Sequence, residues 1–159
     1  RRYGTVETLL SIMKYNGGHL RREEVRSILE IKVIVDKLAV ELAVQRLTDE
    51  DLNKLRVRLQ TMEQQSDLAD NAAEAAFEFY HEITMISGNT LLPLIYRSFR
   101  VPVVHLWTRF VRKYGNQTVC KNAKSIYNAF EKRDMDEVVK AAEAAVTVSI
   151  IGPREIYED

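Results

Sequence analysis

Apolar residues recur along most of the chain at the three- and four-residue spacing of amphipathic helices, and no stretch shows the alternation typical of a β-strand. Glycine and asparagine interrupt this periodicity most strongly at residues 16–18 and 115–116. The intervening segments predict seven helices, over residues 6–15, 21–46, 49–65, 72–87, 91–114, 119–132 and 135–151. Long helices joined by short turns favour an all-α fold, an antiparallel bundle of about six to seven helices.

Three local signals refine the helix boundaries. Asp51 follows Thr48 at the three-residue spacing of a capping box, which predicts a helix start there. Gly88 can adopt the left-handed conformation needed just past a helix end, and Asn89 can then begin the next helix. Pro102 lies inside the predicted helix 91–114 and should kink or split it.

The composition is that of a soluble globular protein. The 159 residues are 46% hydrophobic and 29% charged, which predicts one domain over residues 1–159. Neither a signal peptide nor a run of apolar residues long enough to cross a bilayer is present, so we expect no membrane partner. Cys120 is the single cysteine, which excludes a disulfide within the chain and fits a cytoplasmic location.

Charge and motif content exclude two classes of function. The 23 basic and 23 acidic residues give a net charge of zero, whereas a domain that grips nucleic acid through phosphates is usually basic. The sequence has no Ser/His/Asp or Cys/His signature and no glycine-rich phosphate loop. We therefore expect neither direct DNA binding nor enzymatic activity, and we predict no catalytic residues and no cofactor.

Residues 79–89, FYHEITMISGN, predict the end of a helix that carries His81 and stops at a Ser-Gly-Asn cap. This segment resembles the effector-binding (FCD) domain of GntR-family transcription regulators of the FadR subgroup, in which a phrase close to D-x-x-F-H-x-x-I-x-x-x-S-G-N recurs. Residues 32–52 are similar to the opening phrase of that domain, with Lys32 and Asp36 at its arginine and glutamate positions. Residues 123–145 are similar to its closing phrase.

The resemblance implies a pocket that in many relatives holds a metal ion through four ligands, of which His81 would be one. Phe77 stands where the family has an aspartate ligand, and Ala123 and Ala145 stand where it has two histidines. A single imidazole cannot hold a metal ion, so we predict no metal site. Two histidine-to-alanine differences favour a roomier and more apolar cavity.

These considerations give a set of candidate ligand-binding residues, each with a structural alternative. The candidates are Lys32, Asp36, Phe77, His81, Arg97, Arg100, Ala123, Tyr127 and Ala145. Lys32 and Asp36 are equally compatible with an ion pair on a wet helix surface, and His81 with a hydrogen-bonded core histidine. The arginines are typical of a solvated face, and the aromatic and small apolar residues are typical of a core.

The resemblance implies a ligand-sensing domain that forms a homodimer and binds a small anionic metabolite, such as an acyl-coenzyme A, a fatty acid or an organic acid. We expect the winged-helix DNA-binding domain to be absent from this chain, so that DNA would be bound only through that other domain. The alternative is a helical protein–protein interaction module with no small-molecule ligand.

Overall fold

The computed structural model describes residues 22–65 and 68–151. Seven helices lie within these ranges: α1 (Arg22–Arg46), α2 (Asp49–Gln64), α3 (Ala69–Ile86), α4 (Leu92–Ser98), α5 (Arg100–Tyr114), α6 (Gln117–Glu131) and α7 (Met135–Ile151). The helix predicted over residues 6–15 falls outside the described residues. The described part of the chain contains no β-strand, and the all-α prediction is confirmed.

Helix α3 occupies the centre of the bundle and contacts α1, α2, α4, α5 and α6. It buries ten of its eighteen residues, which fits its position among five neighbours. Helix α7 packs against α1 and α6, closing the bundle on the opposite side. The core is built from large apolar side chains that solvent does not reach, including Phe77, Phe79, Leu55, Ile126 and Phe130.

The capping box predicted at the start of α2 is present. The Thr48 hydroxyl accepts a hydrogen bond from the Asp51 amide, and the Asp51 carboxylate accepts one from the Thr48 amide, both at 3.1 Å. Two backbone donors that the helix itself cannot satisfy are thereby paired, which fixes where α2 begins.

The turn between α3 and α4 also follows the sequence signals. Gly88 has a φ of +72°, the left-handed conformation expected just past the end of a helix. The Asn89 side-chain oxygen then accepts hydrogen bonds from the amides of Leu91 and Leu92 at 2.9 and 3.1 Å. Asn89 therefore caps the start of α4.

Pro102 splits the segment that the apolar periodicity predicted as one helix. The break lies at Phe99, which leaves α4 with seven residues and makes Pro102 the third residue of α5. An amide at that position has no partner within its own helix, so proline is tolerated there. The break leaves Tyr96 on α4 and places Phe99 between the two helices.

Within the described ranges, no helix combines the length and the apolar character that crossing a bilayer would require.

Candidate functional site

Lys32 and Asp36 form a buried ion pair one turn apart on α1. Only 9% of the Lys32 side chain and 4% of the Asp36 side chain are exposed, and the Lys32 ammonium donates a hydrogen bond to the Asp36 carboxylate. Burial raises the pKa of Asp36 above its usual value, while the neighbouring Lys32 opposes that rise. Removing two charges from water costs several kcal/mol for each ion, so this pair differs in kind from a surface pair.

Three aromatic rings surround the Lys32 ammonium. Its Nζ atom lies 4.6 Å from the ring centroid of Tyr80, 4.8 Å from that of Trp107 and 5.9 Å from that of Tyr96. Tyr80 and Trp107 stack on each other with centroids 5.3 Å apart. The negative faces of such rings attract a cation and offset part of its desolvation. We call these five residues, Lys32, Asp36, Tyr80, Tyr96 and Trp107, the Lys32 cluster.

The Tyr96 hydroxyl is buried and has no hydrogen-bond partner among the described residues. Burial raises the pKa of Tyr96 well above its usual value, and the Asp36 carboxylate raises it further, so the hydroxyl stays protonated at neutral pH. A buried hydroxyl that lacks a partner costs about 1–3 kcal/mol. Because solvent does not reach this donor, an acceptor bound beside Lys32 would meet it only if the Tyr96 side chain turned toward the ligand.

Two cavities meet at Lys32. The first, of about 40 Å³, lies inside the bundle and is bordered by Lys32, Tyr80, Trp107, Phe110 and Ala145 among others. The second, of about 450 Å³, lies between α1 and the α4–α5 segment, and we call it the α1–α4 groove. The groove is lined by Glu23, Glu24, Ser27, Ile28, Ile31, Lys32, Val35, Ile95, Tyr96, Phe99 and Val103.

The interior cavity is smaller than the alanines at positions 123 and 145 led us to expect. Ala145 borders the cavity, but a volume of about 40 Å³ holds only a few water molecules. The stacked rings of Tyr80 and Trp107 and the Lys32 side chain line the same cavity. Ala123 is completely buried, and Tyr127, on the same helix, is also part of the apolar core.

Phe77 is also completely buried, with its ring centroid 5.0 Å from that of Tyr96. The guanidinium carbons of Arg97 and Arg100 lie 5.6 and 6.0 Å from the centroid of the Phe77 ring. Phe77 is thus a core residue that the two arginines cover from outside. In the described ranges, neither arginine lines the interior cavity or the groove.

Both arginines take part in a ladder of ion pairs along the outer face of α3. Arg97 pairs with Glu78 at 3.3 Å, and Arg100 pairs with Glu74. The Arg97 guanidinium also lies 3.3 Å from Nδ1 of His81. Partial burial lowers the pKa of His81, and the positive charge of Arg97 lowers it further. His81 therefore belongs to this outer ladder, and its ring centroid lies 6.4 Å from that of Tyr96 in the Lys32 cluster.

The position that corresponds to the family histidine is occupied by Tyr80. In the phrase D-x-x-F-H-x-x-I-x-x-x-S-G-N the histidine stands nine residues before the asparagine, and the residue nine before Asn89 is Tyr80. The aspartate position, four residues earlier, then falls on Ala76, which is completely buried. Counting back from the Ser-Gly-Asn cap would have identified Tyr80. The apolar pattern carried no signal for Tyr96.

When Tyr80 is aligned with the histidine of the family phrase, no set of metal ligands remains on these helices. Among residues 22–65 and 68–151, no three histidine, cysteine, aspartate or glutamate side chains converge closely enough to hold a metal ion. What the structure places at the junction of the two cavities is one ammonium, one carboxylate and one unpaired hydroxyl inside aromatic walls. This arrangement is suited to hydrogen bonding with an anionic group.

Comparisons with known proteins agree on the fold. The family model of the FCD domain matches residues 27–147. A solved structure of McbR/YncC from E. coli is similar, with a TM-score of 0.71 and 18% sequence identity over 83% of this chain and 68% of that chain. A comparison with curated protein sequences gave no significant match.

Proposed function

Because the chain belongs to the FCD domain family, we propose that it is the effector-binding and dimerisation domain of a GntR-type transcription regulator. In this proposal the domain senses a small anionic metabolite and passes the signal to a DNA-binding domain. The family assignment supports a regulatory role and not an enzymatic one. The class of effector is inferred from the Lys32 cluster.

The proposal that the effector is anionic rests on one observation, the buried ammonium of Lys32 where the two cavities meet. An ammonium has three hydrogen-bond donors, and one of them is directed to Asp36. A carboxylate can accept the remaining donors, and the unpaired Tyr96 hydroxyl would join them only if its side chain turned toward the ligand. Such charge-assisted hydrogen bonds are roughly twice as strong as neutral ones.

The homodimer part of the proposal rests on exposed apolar residues along α1. Ile31, Ile34 and Leu38 are at least 41% exposed and follow the three- and four-residue spacing of a helix-pairing stripe. A second copy of the chain is the occupant we propose for this stripe, because an isologous two-fold contact places the same surface on both sides.

In this proposal helix α1 connects effector binding with dimerisation. Its inner face carries Lys32 and Asp36, and its outer face carries Ile31, Ile34 and Leu38. An effector that binds one arrangement of the dimer more tightly than another shifts the population toward the arrangement it prefers. A change in the position of α1 would therefore reach the partner subunit directly.

Thermal-shift measurements with fatty acids, acyl-coenzyme A esters and small organic acids test the effector class, since a ligand specific for the folded state raises Tm. The informative variant is Lys32→Met with Asp36→Asn, which removes both charges without leaving one unpaired in the core. Its matched control is Lys54→Met with Glu50→Gln, which removes an exposed pair at the same spacing. The anionic hits should be lost in the first variant and kept in the second. A screen without acidic hits, or equal responses of the two variants, would contradict the proposal.

The alternative is a helical interaction module that binds another protein through the exposed apolar residues of α1 and α4 and has no small-molecule ligand. The exposure of Ile34 and Leu94, at 64% and 67%, favours this possibility. Mass spectrometry of small molecules that remain with the purified protein discriminates the two. A retained metabolite supports the sensor, and its absence together with a failed acid screen supports the interaction module.

A further inference from the structure

We propose that the α1–α4 groove binds the apolar chain of a monocarboxylate whose carboxylate lies against Lys32. This inference rests on the proposed sensing function and names its site. The residues suggested by the family resemblance surround the interior cavity or lie outside it, whereas this groove opens between α1 and the α4–α5 segment. Lys32 borders both spaces, with Tyr80 and Trp107 lining the interior cavity and Tyr96 lining the groove.

The size and the walls of the groove fit a small amphiphile. Its volume of about 450 Å³ lies within the range of roughly 300–1,000 Å³ that is usual for small-molecule sites. Ile28, Val35, Phe99 and Val103 supply apolar surface along it, and all four are at least partly buried. A hydrocarbon chain or ring placed there would exchange contact with water for contact with these side chains.

The inner end of the groove supplies the polar contacts. Lys32 is held in position by Asp36 and by the surrounding rings, so its ammonium is already oriented before a ligand arrives. Tyr96, which also lines the groove, has a buried hydroxyl without a partner in the described part of the chain. One carboxylate with two oxygen atoms matches one ammonium and, once the Tyr96 side chain turns toward the ligand, one hydroxyl.

The outer end of the groove selects against a second anionic group. Glu23 lines that end, nine residues before Lys32, which corresponds to about 14 Å along the helix axis. Its carboxylate near the far end of the ligand would repel a second negative charge. The geometry therefore favours a monocarboxylate with an uncharged tail over a dicarboxylate of the same length.

Filling the groove from an exposed position tests this proposal without disturbing the core. Ser27 lines the groove, and its hydroxyl bonds only to the carbonyl of Glu23 one turn earlier in the described structure. Ser125 on α6 is also exposed, makes the same kind of bond to the carbonyl of Lys121, and is not among the residues that line the groove. Ser27→Phe and Ser125→Phe therefore form a matched pair, and the single tryptophan, Trp107, remains as the fluorescence reporter in both.

Decanoate is the probe, and sebacate, the dicarboxylate with the same number of carbons, is the specificity control. We expect decanoate to change Trp107 fluorescence in the wild type and in Ser125→Phe with similar Kd values. In Ser27→Phe, and for sebacate with the wild type, we expect Kd to rise by about tenfold or more, which corresponds to at least about 1.4 kcal/mol.

Three outcomes would overturn the proposal. Equal decanoate affinity in the two phenylalanine variants would place the ligand elsewhere. Equal affinity for decanoate and sebacate would remove the role of Glu23. Binding that occurs only after Ile34→Glu would mean that a second copy of the chain occupies the groove. The proposed sensing function is tested separately by the double variant Lys32→Met with Asp36→Asn. Its expected loss of acid binding does not depend on the result for Ser27→Phe.

Discussion

The Arg46 side chain lies so close to Gly88 that a Cβ atom at position 88 would be 2.9 Å from Nη1 of Arg46 and 3.3 Å from its Cδ. The same guanidinium donates a hydrogen bond to the carbonyl of Ser87. The end of α1 is thereby tied to the turn that follows α3, and glycine at position 88 is required both for its positive φ and for this contact.

Gly88→Ala should lower the free energy of unfolding by about 1–2 kcal/mol, because the left-handed conformation costs a non-glycine residue roughly that much. The steric part is isolated in the Arg46→Ala background, where a Cβ atom at position 88 no longer meets the Arg46 side chain. Urea denaturation should show a smaller loss for Gly88→Ala in that background than in the wild type. An equal loss in both backgrounds would remove the steric part of this explanation.

Lys32→Met should lower the free energy of unfolding by about 3–5 kcal/mol at neutral pH, because Asp36 would remain buried without its partner. Replacing Asp36 with asparagine in the same protein should recover part of this loss, since no charge would then be left in the core. Urea denaturation of the two variants is the measurement. Equal stability of the single and double variants would show that the pair is hydrated and not buried.

The stability of Lys32→Met should also depend on pH. The pKa of Asp36 is raised above its usual 3.8 by burial, and Lys32 opposes that rise, so removing Lys32 raises it further. A carboxyl with a higher pKa in the folded state binds more protons there, and the free energy of unfolding therefore falls as pH rises from about 3.8 upward. Lys32→Met should lose stability more steeply over this range than the wild type. The additional Asp36→Asn substitution should abolish the excess slope.

Tyr96→Phe should leave the free energy of unfolding unchanged or raise it by up to about 1 kcal/mol, because the variant removes a buried hydroxyl that lacks a partner among the described residues. The same variant should bind carboxylates more weakly, since one of the two proposed donors is lost. Denaturation and decanoate titration on the same preparation check both statements. A clear loss of stability would mean that the hydroxyl is already satisfied in the folded protein.

Ile34→Glu should convert the proposed homodimer to a monomer, because a carboxylate would be placed in the centre of the apolar stripe on α1. Val57→Glu on α2 is the control, with an exposed fraction of 56% beside 64% for Ile34. Sedimentation equilibrium at micromolar concentration should give the wild type and Val57→Glu a mass near twice the 18.4 kDa of one chain. A wild-type mass of one chain throughout would contradict the dimer.

The helices and their boundaries could be predicted from the sequence because their causes are local. The capping box at Thr48 and the left-handed turn at Gly88 depend on residues within one turn of each other, and both are present. Pro102 correctly predicted a split helix, although the break itself lies three residues earlier, at Phe99. A proline in the sequence predicts that the helix is interrupted nearby, but it does not predict the residue at which the helix ends.

The site was harder to predict because burial depends on several helices at once. The four-residue spacing of Lys32 and Asp36 predicted that they could pair, but their burial results from the packing of α1 with α3, α4 and α5. Neighbouring residues on a helix point about 100° apart, so a shift of one position exchanges an inward residue for an outward one. This is the difference between Tyr80, which lines the interior cavity, and His81, which joins the outer ladder.

The break at Phe99 has a kinetic consequence. Helix α4 is only seven residues long, buries only Leu92 and Tyr96, and is bounded by the turn at Gly88 on one side and by Phe99 on the other. A short element with few buried side chains can open locally at a free energy well below that of global unfolding. Its amide hydrogens should therefore exchange with deuterium faster than those of α3. A ligand that fills the groove as proposed and holds Tyr96 should slow this exchange.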